Sequence, residues 1–64
     1  MQPFQQRVLD EKRELDEKLE KLMAFIRGPV FETIAPDEQE RLKRQSHHMD
    51  LYSGVLAERI SEFK

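Results

Sequence analysis

Apolar residues recur at intervals of three, four or seven positions in the first part of the chain, which is the repeat of one helical face. A helix is predicted over residues 3–27. Pro3 suits a first helical position, and Gly28 followed by Pro29 stops a helix. The apolar stripe consists of Phe4, Val8, Leu15, Leu19, Leu22 and Ile26.

A second stripe, with a spacing of seven residues, follows in the last part of the chain. It predicts a helix over residues 36–63, which begins at Pro36 and has Asp37 and Glu38 in its first turn to complement the helix dipole. The stripe consists of Leu42, Met49, Leu56 and Phe63, with Tyr52 and Ile60 on the same side. Gln45 and Arg59 also fall at positions of the predicted seam, which is the contact between the two helices.

The loop, residues 28–35, is too apolar for a free linker. We expect Phe31 and Ile34 to fold back onto the end of the core. Two helices of similar length joined by a short loop favour an antiparallel helical hairpin. The predicted fold is therefore all-α, with residues 1–64 in one domain.

A chain of 64 residues without cysteine has no disulfides and buries too little surface to be comfortably stable alone. Two helices cannot enclose a core between them. Leu9 on the first helix, and Leu51 and Val55 on the second, lie beside the main stripes and widen the apolar faces. We therefore expect self-association into a four-helix bundle or a higher oligomer.

Composition argues against several classes of function. Charged residues make up 38% of the chain, but the formal net charge is only −2, which is not the balance of a protein that binds long nucleic acids. No apolar run approaches a membrane span, and the N-terminus lacks the apolar core of a signal peptide, so a cytoplasmic location is predicted. No catalytic constellation is recognisable, and we expect neither enzyme activity nor a cofactor.

The segment RLKRQSHH, residues 41–48, is the only charge run of one sign. His47 and His48 point about 100° apart on a helix, so they cannot share a metal ion, and no metal site is expected. The run is either an exposed helix face or an anion site. In an anion site, arginines would donate paired hydrogen bonds to phosphate, and His48 or Tyr52 would stack on a base.

Charged residues interrupt both stripes at about the same level along the predicted hairpin: Glu11 and Lys12 in the first helix, and Arg59 in the second. One interpretation is an ion pair between Glu11 and Arg59. The other is a polar pocket in the oligomer, with Arg7 one turn away. Gly54 costs about 1 kcal/mol relative to alanine within a helix, which indicates either a close helix neighbour or a bend.

Segments from both helices resemble a family of short, mostly uncharacterised helical proteins of tailed phages and prophages, some of them named after a crAss-like phage. The segments include FQQRV, ELDEKL and DEQERL, and the likeness covers nearly the whole chain. It implies a phage accessory protein that acts inside a bacterial host. The matching positions include Glu11, Lys12, Glu14, Leu15, Gln45, Met49, Tyr52, Ser53, Glu58 and Arg59.

Two functions are therefore predicted. By analogy with other helical-hairpin phage proteins, the first is a counter-defence homo-oligomer that sequesters a cyclic nucleotide immune signal; its predicted ligand residues are Arg7, Lys12, Arg44, His48, Tyr52 and Arg59. The second is an adaptor or inhibitor that binds a host or phage protein; its predicted contact residues are Leu9, Phe31, Leu51 and Val55.

Overall fold

The computed structural model describes residues 1–63, and it is an antiparallel helical hairpin. Helix α1 spans Pro3–Arg27, a 3-10 turn spans Phe31–Thr33, and helix α2 spans Pro36–Ser61. The predicted all-α hairpin is confirmed. Helix α2 ends two residues before the predicted boundary, because the amides of Glu62 and Phe63 bond to carbonyls three residues back and tighten the last turn.

The loop is held against the ends of both helices. Phe31 is only 5% exposed, and its ring meets that of Phe25 edge to face at 6.5 Å between centroids. The Gln39 amide donates to the carbonyl oxygens of Phe31 at 3.1 Å and Ile34 at 3.0 Å. The predicted folding-back of Phe31 is confirmed. Its ring is therefore buried in the hairpin, and its role as a contact for another protein stays a prediction.

The seam between the helices includes two serines, which the pattern of apolar residues does not predict there. Along α2 the buried and half-buried positions alternate by three and four residues: Gln39, Leu42, Ser46, Met49, Ser53, Leu56 and Ile60. Gln45, Tyr52 and Arg59 are exposed, so their prediction as seam positions was wrong. A serine fits where two helix backbones approach closely, whereas a tyrosine ring does not.

The hairpin encloses little of its apolar surface. Among residues 1–63, four apolar side chains are buried: Val8, Leu19, Phe31 and Leu56. The radius of gyration is 14.7 Å, whereas a compact domain of this length has about 11 Å. The accessible surface is 5045 Å², against roughly 4,300 Å² for a typical monomer of this mass. Over residues 1–63, neither helix is long and apolar enough to cross a membrane.

Candidate functional site

A polar layer crosses the seam near the middle of the hairpin; it consists of Lys12, Asp16 and Ser53. The Lys12 ammonium donates to Asp16 Oδ2 at 2.7 Å and to Ser53 Oγ at 3.0 Å. The Ser53 hydroxyl donates to the other oxygen of Asp16. Ser53 is 8% exposed, so a slip of the helices by one turn would leave its hydroxyl buried without partners. The polar layer therefore fixes the register of the hairpin.

The hydrogen bonds of this layer stabilise the charged form of Asp16. The bond from Lys12, followed by that from Ser53, lowers the pKa of the Asp16 carboxyl below its ordinary value of 3.8. Desolvation acts in the opposite direction and is outweighed. Because the side chain of Asp16 remains 44% exposed, solvent weakens its interaction with Lys12.

Acid should weaken the fold through Asp16. A carboxyl whose folded pKa is lowered contributes stability above its unfolded pKa, and that contribution is lost as pH falls through the folded pKa. We expect Asp16→Asn to lower the melting temperature at neutral pH, and the difference from wild type to shrink below the ordinary pKa of 3.8. Thermal unfolding followed by circular dichroism from pH 6 to pH 2 measures this. A difference that stays constant across that range would contradict the prediction.

Four of the six predicted ligand residues lie along one side of α2. Arg44, His48, Tyr52 and Arg59 are separated by four, four and seven residues, which brings them to neighbouring positions on the helix surface. All four are exposed, and Tyr52 has 45% of its surface accessible. We call this set the α2 flank. Within residues 1–63, neither of its arginines forms a salt bridge.

The other two predicted ligand residues belong to α1. The Phe4 ring meets Phe63 at 6.4 Å between centroids, and this antiparallel pairing brings the exposed Arg7 to the level of the last turns of α2. Lys12 lies in the polar layer, where its ammonium is already bonded to Asp16 and Ser53. Arg7 is therefore accessible to a ligand, whereas the Lys12 ammonium is already hydrogen-bonded within the chain.

The prediction of an ion pair between Glu11 and Arg59 was wrong: no such pair forms in the described part of the chain. The charge that enters the seam is Lys12 rather than Glu11. Ser53 on α2 accepts a hydrogen bond from it, while Arg59 is exposed. Asp16 and Ser53 were not predicted as site residues, although the seven-residue spacing from Ser46 to Ser53 to Ile60 indicates a second row of residues that face α1.

The predicted contact residues have different surroundings. Leu51 and Val55 are 55% and 52% exposed on α2. Leu9 is half-buried and lines a groove with Asp16, Ile60 and other residues of both helices. That groove also carries Lys12, Arg13, Glu17 and Glu20, so its three carboxylates disfavour an anion there.

The two adjacent histidines, His47 and His48, lie side by side on α2. Their ring centroids are 5.6 Å apart. In the part of the chain that the structure describes, no three histidine, aspartate or glutamate side chains come together in a group that could hold a metal ion.

One protein family, described as Sequestin, matches the chain over residues 2–62. No curated protein and no solved structure gives a match. The family match spans both helices and the loop, and it includes the polar layer and the α2 flank. The chain therefore belongs to the Sequestin family.

Proposed function

We propose that the protein binds a phosphate-bearing cyclic nucleotide and withholds it from its receptor without converting it. The observation that carries this proposal is the α2 flank, in which two arginines, a histidine and a tyrosine are exposed on one side of a helix. The name of the family, Sequestin, supports sequestration as the mode of action.

The flank has the chemistry that a nucleotide needs. Guanidinium groups donate two parallel hydrogen bonds to a phosphate and keep their charge at any physiological pH. An aromatic ring such as that of Tyr52 stacks on any base, which contributes about 1–3 kcal/mol per base in single-stranded nucleic-acid sites. The absence of salt bridges to Arg44 and Arg59 within residues 1–63 leaves both groups free for a phosphate.

The polar layer supports binding rather than catalysis. A serine beside a lysine resembles a nucleophile and its base, but here the Lys12 ammonium donates its protons to Ser53 and Asp16. It therefore holds no free lone pair with which to remove the proton of Ser53. The Ser53 hydroxyl is also buried and bonded to Asp16. These three residues stabilise the hairpin.

We further propose that the sequestering form is a homo-oligomer that acts against host defence in the bacterial cytoplasm. The small core and the exposed Leu51 and Val55 support self-association, because a hairpin with this much apolar surface gains stability when a second chain covers it. The resemblance to short phage proteins supports a host immune signal as the ligand.

A panel of mono-, cyclic di- and cyclic trinucleotides tests the proposal by thermal shift. A ligand that binds only the folded protein stabilises it by about 2.7 kcal/mol at a concentration of 100 times Kd. For a domain of this size, that raises the melting temperature by roughly 10 °C or more. We expect at least one cyclic nucleotide to produce such a rise, while inorganic phosphate at the same concentration does not.

A panel without any shift would reject nucleotide binding and favour the second predicted function, an adaptor or inhibitor of a host or phage protein. The observation in favour of that alternative is the exposure of Leu51 and Val55, which are close together on α2 and could pack against another protein. Capture of one specific host protein, abolished by Leu51→Glu, would then identify it.

A further inference from the structure

A groove at the loop end of the hairpin takes no part in the functions considered so far, and both helices contribute to it. We call it the loop-end groove. Its volume is about 310 Å³, and it is lined by Met23, Ile26, Arg27, Lys43 and Ser46. Lys43 precedes Arg44 by one position, which turns it about 100° around α2 and away from the α2 flank. The loop-end groove is therefore a separate surface.

The loop-end groove is positively charged. Arg27 and Lys43 supply two cations, and no carboxylate lines the groove. Within residues 1–63, neither cation forms a salt bridge. The groove that contains Leu9 and Ile60 has the opposite character, because three carboxylates line it. Of these two grooves, only the loop-end groove favours an anionic group.

Contacts with the loop hold Lys43 in place. Its ammonium lies 5.8 Å from the centroid of the Phe31 ring, which is a cation–π distance. Phe31 is 5% exposed, and the Gln39 amide donates to its carbonyl oxygen at 3.1 Å. The Ser46 hydroxyl donates to the carbonyl oxygen of Lys43 at 2.8 Å. Because the cation is already positioned, less conformational entropy is lost when an anion binds it.

Exposed apolar side chains accompany the groove at this end of the hairpin. Met23 is 43% exposed, Phe25 is 40% exposed and Val30 is 54% exposed. Met23 has a flexible thioether side chain of the kind found at binding surfaces that adapt to a partner. The loop-end groove thus combines apolar walls with two cations. An apolar side chain that has carboxylates beside it is complementary to this combination.

We propose that the loop-end groove binds an acidic amphipathic helix of another protein. One apolar side chain of that helix packs against Met23 and Ile26, and carboxylates one turn away on the same face pair with Arg27 and Lys43. A helix laid in an apolar groove is a recurring mode of peptide recognition, with anchors three or four positions apart. The groove includes no residue of the α2 flank, so this inference does not depend on the nucleotide.

Size and charge favour a peptide over a small molecule or a lipid surface. Pockets that enclose a small molecule have volumes of about 300–1,000 Å³, and the loop-end groove, at about 310 Å³, is at the lower limit and open to solvent. It therefore suits a side chain of a longer partner. Electrostatic attachment to an anionic membrane takes a cluster of about four to eight basic residues, whereas two line this groove.

Selection from a yeast-displayed library of random peptides tests the proposal, with the biotinylated wild-type chain as bait. The peptides have about 16 residues, which is long enough for about four helical turns. We expect the enriched peptides to carry aspartate or glutamate three or four positions from a large apolar residue. The reversal variant, Arg27→Glu with Lys43→Glu, should bind the best peptide at least about tenfold more weakly by fluorescence anisotropy, because like charges at a contact repel.

Arg13→Glu with Lys18→Glu is the matched control. Both cations are exposed on α1 outside the loop-end groove, and the net charge changes by the same amount. The control should keep the wild-type affinity. A peptide whose acids are replaced by lysine should bind the reversal variant more tightly than the wild type. Circular dichroism checks the fold of each variant, and Arg27→Gln with Lys43→Gln replaces the reversal variant if reversal disturbs the loop.

Three results would overturn the inference. One is a library that yields no peptide bound more weakly by the reversal variant than by the control. Another is sedimentation of the wild type with phosphatidylglycerol vesicles that the reversal abolishes, which would assign the groove to anionic lipid. The third is loss of cyclic nucleotide binding in the reversal variant but not in the control, which would assign the groove to the nucleotide. Charge-dependent peptide binding without any nucleotide binding would retain the inference and reject the proposed function.

Discussion

Replacing Arg59 by alanine is expected to weaken nucleotide binding by about tenfold to a hundredfold while leaving the hairpin folded, since a hydrogen bond to a charged group contributes roughly 1.5–3 kcal/mol. Arg59 is exposed, and within residues 1–63 it forms no salt bridge, so its removal takes little from the fold. Calorimetric titration of wild type and variant with the nucleotide that gives the largest thermal shift measures the change.

Arg13→Ala is the matched control. Arg13 is also an exposed arginine, but it pairs with Asp10 on α1 and lines the groove that carries three carboxylates. Its removal lowers the positive charge of the protein by the same amount as removal of Arg59. Equal losses of affinity in the two variants would show that only the overall charge matters, and the α2 flank would then have no specific role.

Leu56→Ala is expected to unfold the hairpin or bring it close to unfolding. Leu56 is 1% exposed, and leucine-to-alanine changes in a core cost about 2–5 kcal/mol. A domain of this size has few such contacts, because only three other apolar side chains are buried among the described residues. The loss is therefore comparable with the whole stability expected of so small a chain.

Urea unfolding followed by circular dichroism measures this loss. Met23→Ala is the control, because Met23 is 43% exposed and its truncation removes few contacts. We expect a small shift of the urea midpoint for Met23→Ala and a large one, or no folded baseline, for Leu56→Ala. Similar midpoints for the two variants would contradict the assignment of Leu56 to the core.

Hydrophobic spacing alone was sufficient to predict the hairpin and the folding-back of Phe31, because both depend on periodicity and local loop composition. It was insufficient for the register of the seam. Either Tyr52 or Ser53 can face α1 at this level of the seam, and hydrophobicity alone predicts the tyrosine. The structure buries Ser53, because a small side chain permits close helix approach and its hydroxyl finds Lys12 and Asp16.

The polar layer at the candidate site could not be predicted from hydrophobic spacing either. A polar network is a property of three side chains in space, and residue types along one helix do not reveal the partner on the other. Lys12 was therefore predicted as a ligand residue, whereas its ammonium is bonded within the chain. Helical spacing alone predicts that Arg44, His48 and Tyr52 share one side of α2, because that is a local feature; their role as ligand residues stays a prediction.

Equilibrium dialysis of the wild-type protein against the cyclic nucleotide with the largest thermal shift, followed by heat release and chromatography of that nucleotide, tests sequestration most directly. We predict saturable depletion of the free nucleotide and its recovery in unchanged form after the protein is denatured. Failure of excess protein to deplete any nucleotide of the panel, or recovery of a cleaved product, would contradict sequestration.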